Sequence, residues 1–388
     1  MGSNMMYCFI TRSSGFGGTE IHTIGLIDFL VSSGAKVVVL CLKCDPYSER
    51  IKSDSVKIIK CEEQTVGMKV FLGLKSLFKG QPNKLIVLPK GRAELFSIKE
   101  LTLLWLLTKS LIYIEHSEAE DMPILKSKLY LRGILKGVGV WWYREKTRRW
   151  LIGSFAKKVV AVSDPVKQKL QNHYFWKNQK ITVVRNGVNF AKFYRDSSLG
   201  YKFRKQNNIR EDTFVFGMVT RFDRLKAVDV AIRAFYSFIN QSINKNFKLV
   251  LVGEGPEEAA LRTLVSDLEL MEYVIFVGFV KKPQSAFSGI DCVVFSSIKE
   301  GLPLSLLEAM ACKCVPIVTD VGGMAAVVLK QELIAKHSDH TGLTECMNYV
   351  VQLTSKEFDD ACKLFRMKVE QEYNDIDSYS DIAKTIGD

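Results

Sequence analysis

The sequence of 388 residues has no apolar run long enough to cross a bilayer. Its longest apolar stretch, from Leu101 to Ile114, is interrupted by Lys109 and is shorter than the about 20 apolar residues of a transmembrane helix. The amino-terminal residues also lack the basic start, the long apolar middle and the small-residue cleavage site of a secretory signal. We therefore expect a cytoplasmic protein without a membrane-spanning helix.

The cysteines show no disulfide framework. There are nine of them, an odd number, at irregular spacings, which excludes a disulfide-stapled secreted domain and is typical of reduced thiols. Cys41 and Cys44 have a spacing that occurs in zinc sites, but the next close pair, Cys312 and Cys314, lies far along the chain. We therefore interpret all four as structural thiols and predict no metal site.

Acidic residues are scarce in the first half of the chain. Residues 1–188 contain 30 Lys and Arg against 15 Asp and Glu, a net charge of +15, whereas the remainder carries −3 of the total of +12. This excess of positive charge predicts an anionic partner for the first half of the chain: a membrane surface, a substrate bearing pyrophosphate, or nucleic acid.

The basic excess is strongest in residues 124–158, where ten Lys and Arg accompany a single acidic residue, Glu145. Large aromatic side chains stand among them: Trp141, Trp142, Tyr143 and Trp150. Basic and aromatic residues on amphipathic helices favour an anionic membrane surface, and nothing resembles a nucleic-acid-binding module. An ordinary helix pair with buried tryptophans is the alternative.

Short apolar strands alternate with helical segments throughout the chain. The run "MMYCFIT", a glycine-rich turn, a helical pattern and "AKVVVLCL" form a βαβ unit, and the same alternation restarts after residue 212. The sequence therefore predicts two α/β domains with parallel sheets, at residues 5–190 and 191–370. A tail at residues 371–388 is expected to return to the first domain as a helix. Residues 189–212 are polar and are expected to be an irregular connection.

Three segments carry candidate chemistry. The first, "GFGGTE" at residues 15–20, follows a strand and opens a helix, so its glycines allow backbone amides to approach an anion. It matches neither the dinucleotide fingerprint, because Glu20 stands where the third glycine belongs, nor a nucleotide P-loop. A plain tight turn is the alternative interpretation.

The second segment is "TRFDRLKAVD". Arg221 and Lys226 follow a predicted strand and precede a helix, and Arg224 is a third candidate. A guanidinium and an ammonium at this spacing can both contact one diphosphate. A solvated, charged loop remains the alternative for this segment alone.

The third segment is "SSIKEGLPLSLLEAMACKC". Its predicted helix begins near Pro303, so the amides of Leu304 and Ser305 are free to bind phosphate oxygens. Glu300 precedes the helix and Glu308 lies one turn inside it. Because a carboxylate accepts hydrogen bonds from adjacent hydroxyls, this spacing fits a nucleotide-sugar. Two ordinary charges, one in a loop and one on a solvated helix face, are the alternative.

These motifs together resemble the retaining glycosyltransferases of family 4. Glu300 and Glu308, with seven residues between them in "EGLPLSLLEAMA", are similar to the family's paired glutamates. The segments "FGMVTRFDRLKAVDVAIRAF", "LVLVGEGPEEAALRTL" and "VIFVGFV" resemble its diphosphate segment and the strands that follow it. The resemblance is dense over residues 159–328 and thinner before them, where "GFGGTE" and "YIEHSE" carry it.

The resemblance implies the GT-B fold, two Rossmann-like domains facing each other across a cleft. It implies four residues in catalysis: His116, Arg221, Lys226 and Glu300. The implied donor-binding set also contains Gly17, Gly18, Val280, Gly301, Leu302, Leu304, Ser305 and Glu308.

The resemblance also implies individual roles. Gly18 would contact the donor phosphate, and Val280 would contact the base through its backbone. Glu300 would bind the sugar and Glu308 the ribose. Because Arg221 and Lys226 would neutralise the diphosphate, no metal or other cofactor is expected. A lone His116 is otherwise a structural histidine, and Ala227 departs from the family by replacing a glycine.

The implied function is transfer of a hexose or N-acetylhexosamine from a UDP- or GDP-linked donor to a glycan acceptor, with retention of configuration. A lipid-linked, lipopolysaccharide, O-antigen or capsule precursor is the expected acceptor, at the inner face of the cytoplasmic membrane, with no nucleic-acid partner. The alternatives are a nucleotide-sugar epimerase of the same fold and a non-catalytic glycan- or nucleic-acid-binding protein.

Overall fold

A computed structural model gives the structure of the chain. It describes residues 5–12, 17–42, 45–51, 53–61, 65–80, 83–90, 97–116, 150, 153–174 and 177–387. The chain forms two compact units, and each is built on its own sheet. Unit 1 comprises residues 1–185 and 378–388, and unit 2 comprises residues 186–377.

The sheet of unit 1 has seven parallel strands in the order β3-β2-β1-β4-β5-β6-β7. Apolar residues that fill both faces, as in "KVVVLCL", are typical of strands covered on both sides. The strands are β1 (Met5–Thr11), β2 (Lys36–Leu42), β3 (Val56–Cys61), β4 (Asn83–Lys90), β5 (Leu111–Glu115), β6 (Ala156–Ala161) and β7 (Ile181–Val183).

Helices cover both faces of this sheet. On one face, residues of α2, α3 and α4 pack with the strands in one apolar cluster, and on the other face α1 packs with the last helix of the chain, α13. These helices are α1 (Gly18–Ser32), α2 (Met68–Leu77), α3 (Ile98–Thr108), α4 (Asp164–Tyr174) and α13 (Asp375–Gly387). The expected tail therefore contains a helix whose buried side chains, such as Tyr379 and Ile382, belong to the core of unit 1.

Unit 2 has a six-stranded sheet in the order β10-β9-β8-β11-β12-β13, again parallel throughout. Its strands are β8 (Phe214–Val219), β9 (Phe247–Val252), β10 (Val274–Gly278), β11 (Cys292–Phe295), β12 (Val315–Thr319) and β13 (Ile334–Ala335). Its helices are α5 (Ser197–Gln206), α6 (Val228–Gln241), α7 (Glu258–Asp267), α8 (Pro283–Gly289), α9 (Leu304–Ala311), α10 (Met324–Val327), α11 (His340–Gln352) and α12 (Ser355–Glu372). The prediction of two parallel α/β domains is confirmed.

The expectation of an irregular connection at residues 189–212 is wrong, because helix α5 lies within it. The Asp196 side chain caps this helix by accepting a hydrogen bond from the Leu199 amide at 3.0 Å. Phe203 is buried, and a Cβ on Gly200 would lie 2.4 Å from the Ser288 carbonyl oxygen of α8. The segment is mostly polar and buries only Gly200 and Phe203, so its packing on α8 was not anticipated from the sequence.

Candidate functional site

In unit 2, the order of the strands reverses between β8 and β11. The chain runs outward from β8 through β9 to β10, returns to β11 beside β8, and continues outward through β12 to β13. Ligands of open parallel sheets bind outside the carboxyl ends of the strands at such a reversal. The segments that follow β8 and β11 contain the predicted residues Lys226 and Glu300.

Lys226 and Glu300 form an ion pair between their Nζ and Oε1 atoms. Lys226 ends a short 3₁₀ turn, Arg224–Lys226, and Glu300 lies in the loop between β11 and α9. Their side chains are 21% and 13% exposed, so both charges are largely withdrawn from solvent. The resemblance implied one donor site for both residues, and the structure adds a direct contact between this cation and this carboxylate at the reversal.

Ser297, which the sequence analysis missed, holds the Glu300 carboxylate. Its hydroxyl donates to Glu300 Oε1 at 2.9 Å, and its side chain is almost fully buried. The Thr319 hydroxyl donates in turn to the Ser297 carbonyl oxygen at 2.7 Å. A serine ahead of a loop glutamate in "SSIKEG" was the available sequence signal, but its contact required the folded loop.

The beginning of α9 has the predicted geometry. Pro303 is the amino-terminal cap and Leu304 the first helical residue, so the amides of Leu304 and Ser305 lack intrahelical acceptors, whereas the Leu306 amide donates to the Pro303 carbonyl oxygen at 3.2 Å. Leu304 and Ser305 are half-buried, whereas Gly301 and Leu302 in the preceding loop are buried.

Two contacts from neighbouring loops support this segment. The Asn186 side chain donates to the Leu302 carbonyl oxygen at 2.8 Å. Gly322, with a φ of +58°, lies so close that a Cβ there would be 2.3 Å from the Glu300 carbonyl oxygen. The loop that carries Glu300 is therefore fixed from both sides, which favours a preformed anion site at the helix start.

Glu308 lies one turn into α9 and is 9% exposed. Burial raises the pKa of its carboxyl group to about 7 from the usual value of 4.5, because a charged carboxylate loses hydration inside the protein. Glu308 therefore titrates near neutral pH in the unliganded protein. A carboxylate desolvated in this way gains from hydrogen-bond donors such as vicinal hydroxyl groups.

We expect Glu308→Gln to remove a pH dependence of stability. The folded protein keeps this proton up to about pH 7, whereas an unfolded glutamate loses it near pH 4.5. The protonated Glu308 carboxyl group therefore contributes to the free energy of unfolding in full below pH 4.5. This contribution, at most about 3 kcal/mol, is lost as the pH rises to 7. Urea unfolding at pH 5 and pH 8 measures it. The exposed Glu345→Gln is the control, and an unchanged pH dependence in Glu308→Gln would contradict the burial effect.

The remaining predicted residues of unit 2 lie near the ends of other strands. Arg221 follows β8 and is exposed, and no ion pair or hydrogen bond of its side chain is found within the fully described residues 177–387. Val280 follows β10 and is half-buried against the core of the unit. The structure places both on the same edge of the sheet as Lys226, the carboxyl edge.

In unit 1, the strand order reverses at β1, which lies between β2 and β4. Gly17 and Gly18 follow β1, where Gly17 caps helix α1 and Gly18 begins it. This position puts the start of α1 at the carboxyl edge of the sheet, as an anion site requires. Gly15 lies outside the described residues.

His116 follows β5 at the same edge, and it contacts a histidine that the sequence analysis missed. The rings of His22, on α1, and His116 are 4.8 Å apart between centroids and meet edge to face. Burial lowers the pKa of His116 to about 4 and that of His22 well below its usual value. Both imidazoles are therefore neutral at physiological pH, so His116 offers hydrogen bonding rather than positive charge.

Two predicted features lie outside the described residues. Most of the basic and aromatic stretch at residues 124–158 does, including Trp141, Trp142 and Tyr143, and so does Cys44 of the zinc-like pair. Within the residues that the structure describes, no helix is long and apolar enough to cross a membrane.

Two family models match successive parts of the chain. Residues 16–192 match the model described as Glycosyltransferase Family 4, and residues 201–363 match the model described as Glycosyl transferases group 1. Together the two models account for most of both units.

Curated relatives and a solved structure agree with these matches. The capsular polysaccharide biosynthesis glycosyltransferase CapM of Staphylococcus aureus is 28% identical over 200 residues, 49% of this chain and 51% of the relative. The O-antigen biosynthesis glycosyltransferase WclY of Escherichia coli is 28% identical over 174 residues, 44% of each chain. The matched segments thus span about half the length of these relatives or less.

The crystal structure of Anabaena HepE in complex with UDP-glucose has a TM-score of 0.79 at 18% identity, and the alignment covers 99% of each chain. This likeness shows the GT-B fold. With a family 4 domain followed by a group 1 domain on that fold, the chain belongs to the GT-B glycosyltransferases.

Proposed function

We propose that this glycosyltransferase moves a hexose or N-acetylhexosamine from a UDP- or GDP-linked donor to a glycan acceptor, with retention of configuration. The observation that carries the proposal is the ion pair of Lys226 and Glu300 at the strand reversal of unit 2, beside the start of α9. It brings a cation for phosphate, a carboxylate for sugar hydroxyls and helix amides to one place.

The charges of the site match the parts of such a donor. Lys226 and Arg221 neutralise the diphosphate as it leaves, and the first-turn amides of α9 bind its oxygens. Glu300 accepts hydrogen bonds from hydroxyl groups of the transferred sugar, while Glu308 accepts them from the ribose. Because the two side-chain cations supply the charge neutralisation, the proposed reaction uses no metal ion.

Retention is proposed to occur on one face of the sugar. No pair of residues in unit 2 forms an evident nucleophile and base, since Glu300 is committed to its contacts with Lys226 and Ser297. The leaving phosphate then accepts the proton of the acceptor hydroxyl as the new bond forms. The neutral His116 is proposed to donate or accept a hydrogen bond near the transferred sugar.

The acceptor class is inferred from the relatives. CapM and WclY are named for capsular polysaccharide and O-antigen biosynthesis, and HepE was solved with UDP-glucose. These names support a nucleotide-sugar donor and a growing surface glycan, lipid-linked or part of a lipopolysaccharide or capsule precursor, as acceptor.

A donor screen tests the proposal. Release of nucleoside diphosphate is followed for a panel of UDP- and GDP-sugars, with and without a bacterial glycolipid extract. We expect release from one donor to depend on the extract and the product to keep the anomeric configuration of the donor. Conversion of the donor to an epimer without acceptor would indicate an epimerase instead. Binding without any conversion would indicate a non-catalytic protein.

We also propose that unit 1 contacts an anionic membrane surface at the cytoplasmic face. Helix α2 presents Met68 and Leu72, 60% and 55% exposed, one turn apart on the same side. Lys75 and Lys79 are exposed beside them, and residues 65–80 contain no acidic side chain. Exposed apolar groups among cations fit the interface of an anionic bilayer.

Binding to lipid vesicles measures this contact. We expect the protein to sediment with vesicles containing phosphatidylglycerol and much less with neutral vesicles. Binding to the anionic vesicles should become stronger as the salt concentration is lowered. Lys75→Glu with Lys79→Glu is expected to weaken binding by at least about 30-fold, since each lysine near the surface contributes about 1 kcal/mol and each glutamate adds repulsion from the anionic lipid. The matched double variant Lys202→Glu with Lys205→Glu in unit 2 serves as control. Equal losses in both variants would contradict docking through α2.

A further inference from the structure

Ala227 directly follows Lys226 and has a left-handed backbone conformation, with φ 46° and ψ 47°. A residue with a Cβ is strained there, whereas glycine adopts this conformation freely. Ala227 is also buried and caps helix α6. Its conformation sets the direction in which the chain leaves Lys226, so something must stabilise it.

Ser296, the residue after β11, supplies a contact at this point. Its hydroxyl oxygen lies 2.9 Å from the Lys226 carbonyl oxygen and 2.8 Å from the Ala227 carbonyl oxygen, and its single proton is shared between them. Ser296 is completely buried. Two residues further, the Ile298 amide donates to the Leu225 carbonyl oxygen at 2.9 Å. The segment after β11 thus holds the backbone on both sides of Lys226.

The two adjacent serines divide the work between the partners of the ion pair. Ser296 holds the backbone that carries Lys226, and Ser297 holds the Glu300 carboxylate. The proposed function includes no contact of either hydroxyl with the nucleotide-sugar donor. A buried hydroxyl that bonds two carbonyl oxygens of a strained turn stabilises that turn, since losing it leaves the carbonyls without this partner.

We propose that Ser296 is a positioning residue for Lys226, one that fixes the left-handed Ala227 and thereby directs the ammonium group toward Glu300 and the donor diphosphate. The Ser296 hydroxyl thus stabilises at Ala227 a conformation that glycine adopts without such support. This inference rests on the proposed function for the role of Lys226, but the clamp itself is a property of unit 2.

A double-mutant cycle of Ser296→Ala and Ala227→Gly tests the clamp. We expect Ser296→Ala alone to lower kcat/KM for the donor by roughly 10- to 100-fold, mostly in kcat, because a displaced Lys226 fails to stabilise the leaving charge. In the Ala227→Gly background, Ser296→Ala is expected to lower kcat/KM by less than about threefold, because glycine adopts the left-handed conformation without the hydroxyl. Additive effects in the cycle would overturn the proposal.

Thr344→Val is the matched control. The Thr344 hydroxyl is buried in the same unit and contacts two carbonyl oxygens, those of Ala234 at 3.1 Å and His340 at 2.8 Å, away from the ion pair. We expect this variant to lose stability and to keep kcat/KM. An equal loss of kcat/KM in Thr344→Val and Ser296→Ala would show that Ser296 only stabilises the unit and does not position Lys226.

The same cycle in urea unfolding needs no substrate. We expect Ser296→Ala to destabilise the protein more with Ala227 present than with glycine there. If no donor supports transfer by the unchanged protein, the proposed function fails while this coupling still tests the clamp. Equal destabilisation in both backgrounds would overturn the clamp whatever the activity.

Discussion

Replacing Lys226 with alanine is expected to lower kcat/KM for the donor by about 10²- to 10³-fold. The ammonium group lies in a largely buried ion pair. In such a place a positive charge stabilises developing negative charge several times more strongly than it does in water. The loss should appear mainly in kcat, because negative charge grows on the diphosphate only as the sugar leaves. Steady-state kinetics with the identified donor measure it.

Arg262→Ala is the matched control for this charge removal. Arg262 pairs with Glu258 on α7 at 2.8 Å, but its side chain is 54% exposed and the pair is local to one helix. We expect its loss to leave kcat/KM within about twofold, as for most exposed ion pairs. Near-native turnover of a folded Lys226→Ala protein would show that this lysine does not act on the diphosphate.

The exchange Glu300→Gln should have the next largest effect, a decrease in kcat/KM of about 10²-fold. Glutamine keeps the shape of the side chain and its bond to Ser297, but it removes the charge that pairs with Lys226 and binds sugar hydroxyls. Because Lys226 then lacks a counterion in a partly buried place, folding stability should fall as well. Kinetics and urea unfolding of the same protein samples measure both effects.

Coupling between the two changes distinguishes a shared site from two independent ones. Lys226→Ala and Glu300→Gln combined should lose less activity than the product of the single losses, since each single change already breaks the ion pair. Glu258→Gln, the counterpart in the exposed pair, should leave activity unchanged. Full additivity of the Lys226 and Glu300 losses would mean that the pair does not work as a unit.

The sequence predicted the fold because its strands are short, apolar and regularly separated by helices. Such strands require cover on both faces, which leads to parallel sheets and to ligand sites at their carboxyl edges. Glu300 and Glu308 could be recognised because both lie in one segment around a helix start. Lys226 could be placed after a strand and before a helix, with the correct type of charge for a diphosphate.

The contact between Lys226 and Glu300 could not be predicted in the same way. It depends on β11 returning to lie beside β8, a long-range pairing that local patterns do not encode. The Ser296 hydroxyl and the ring of His22 were missed for the same reason, since each contacts a residue that is distant in sequence. Ser297 contacts a residue only three positions away, so its contact depends on the local conformation of the loop. The raised pKa of Glu308 likewise follows from burial.

Calorimetric titration of UDP and GDP into the purified protein tests most directly whether unit 2 holds a nucleoside diphosphate at its strand reversal. We expect one of the two nucleotides to bind at a single site, with affinity lost by at least about tenfold in Lys226→Ala and unchanged in Arg262→Ala. If neither UDP nor GDP binds, or if the unchanged protein and Lys226→Ala bind the nucleotide with equal affinity, this assignment is contradicted.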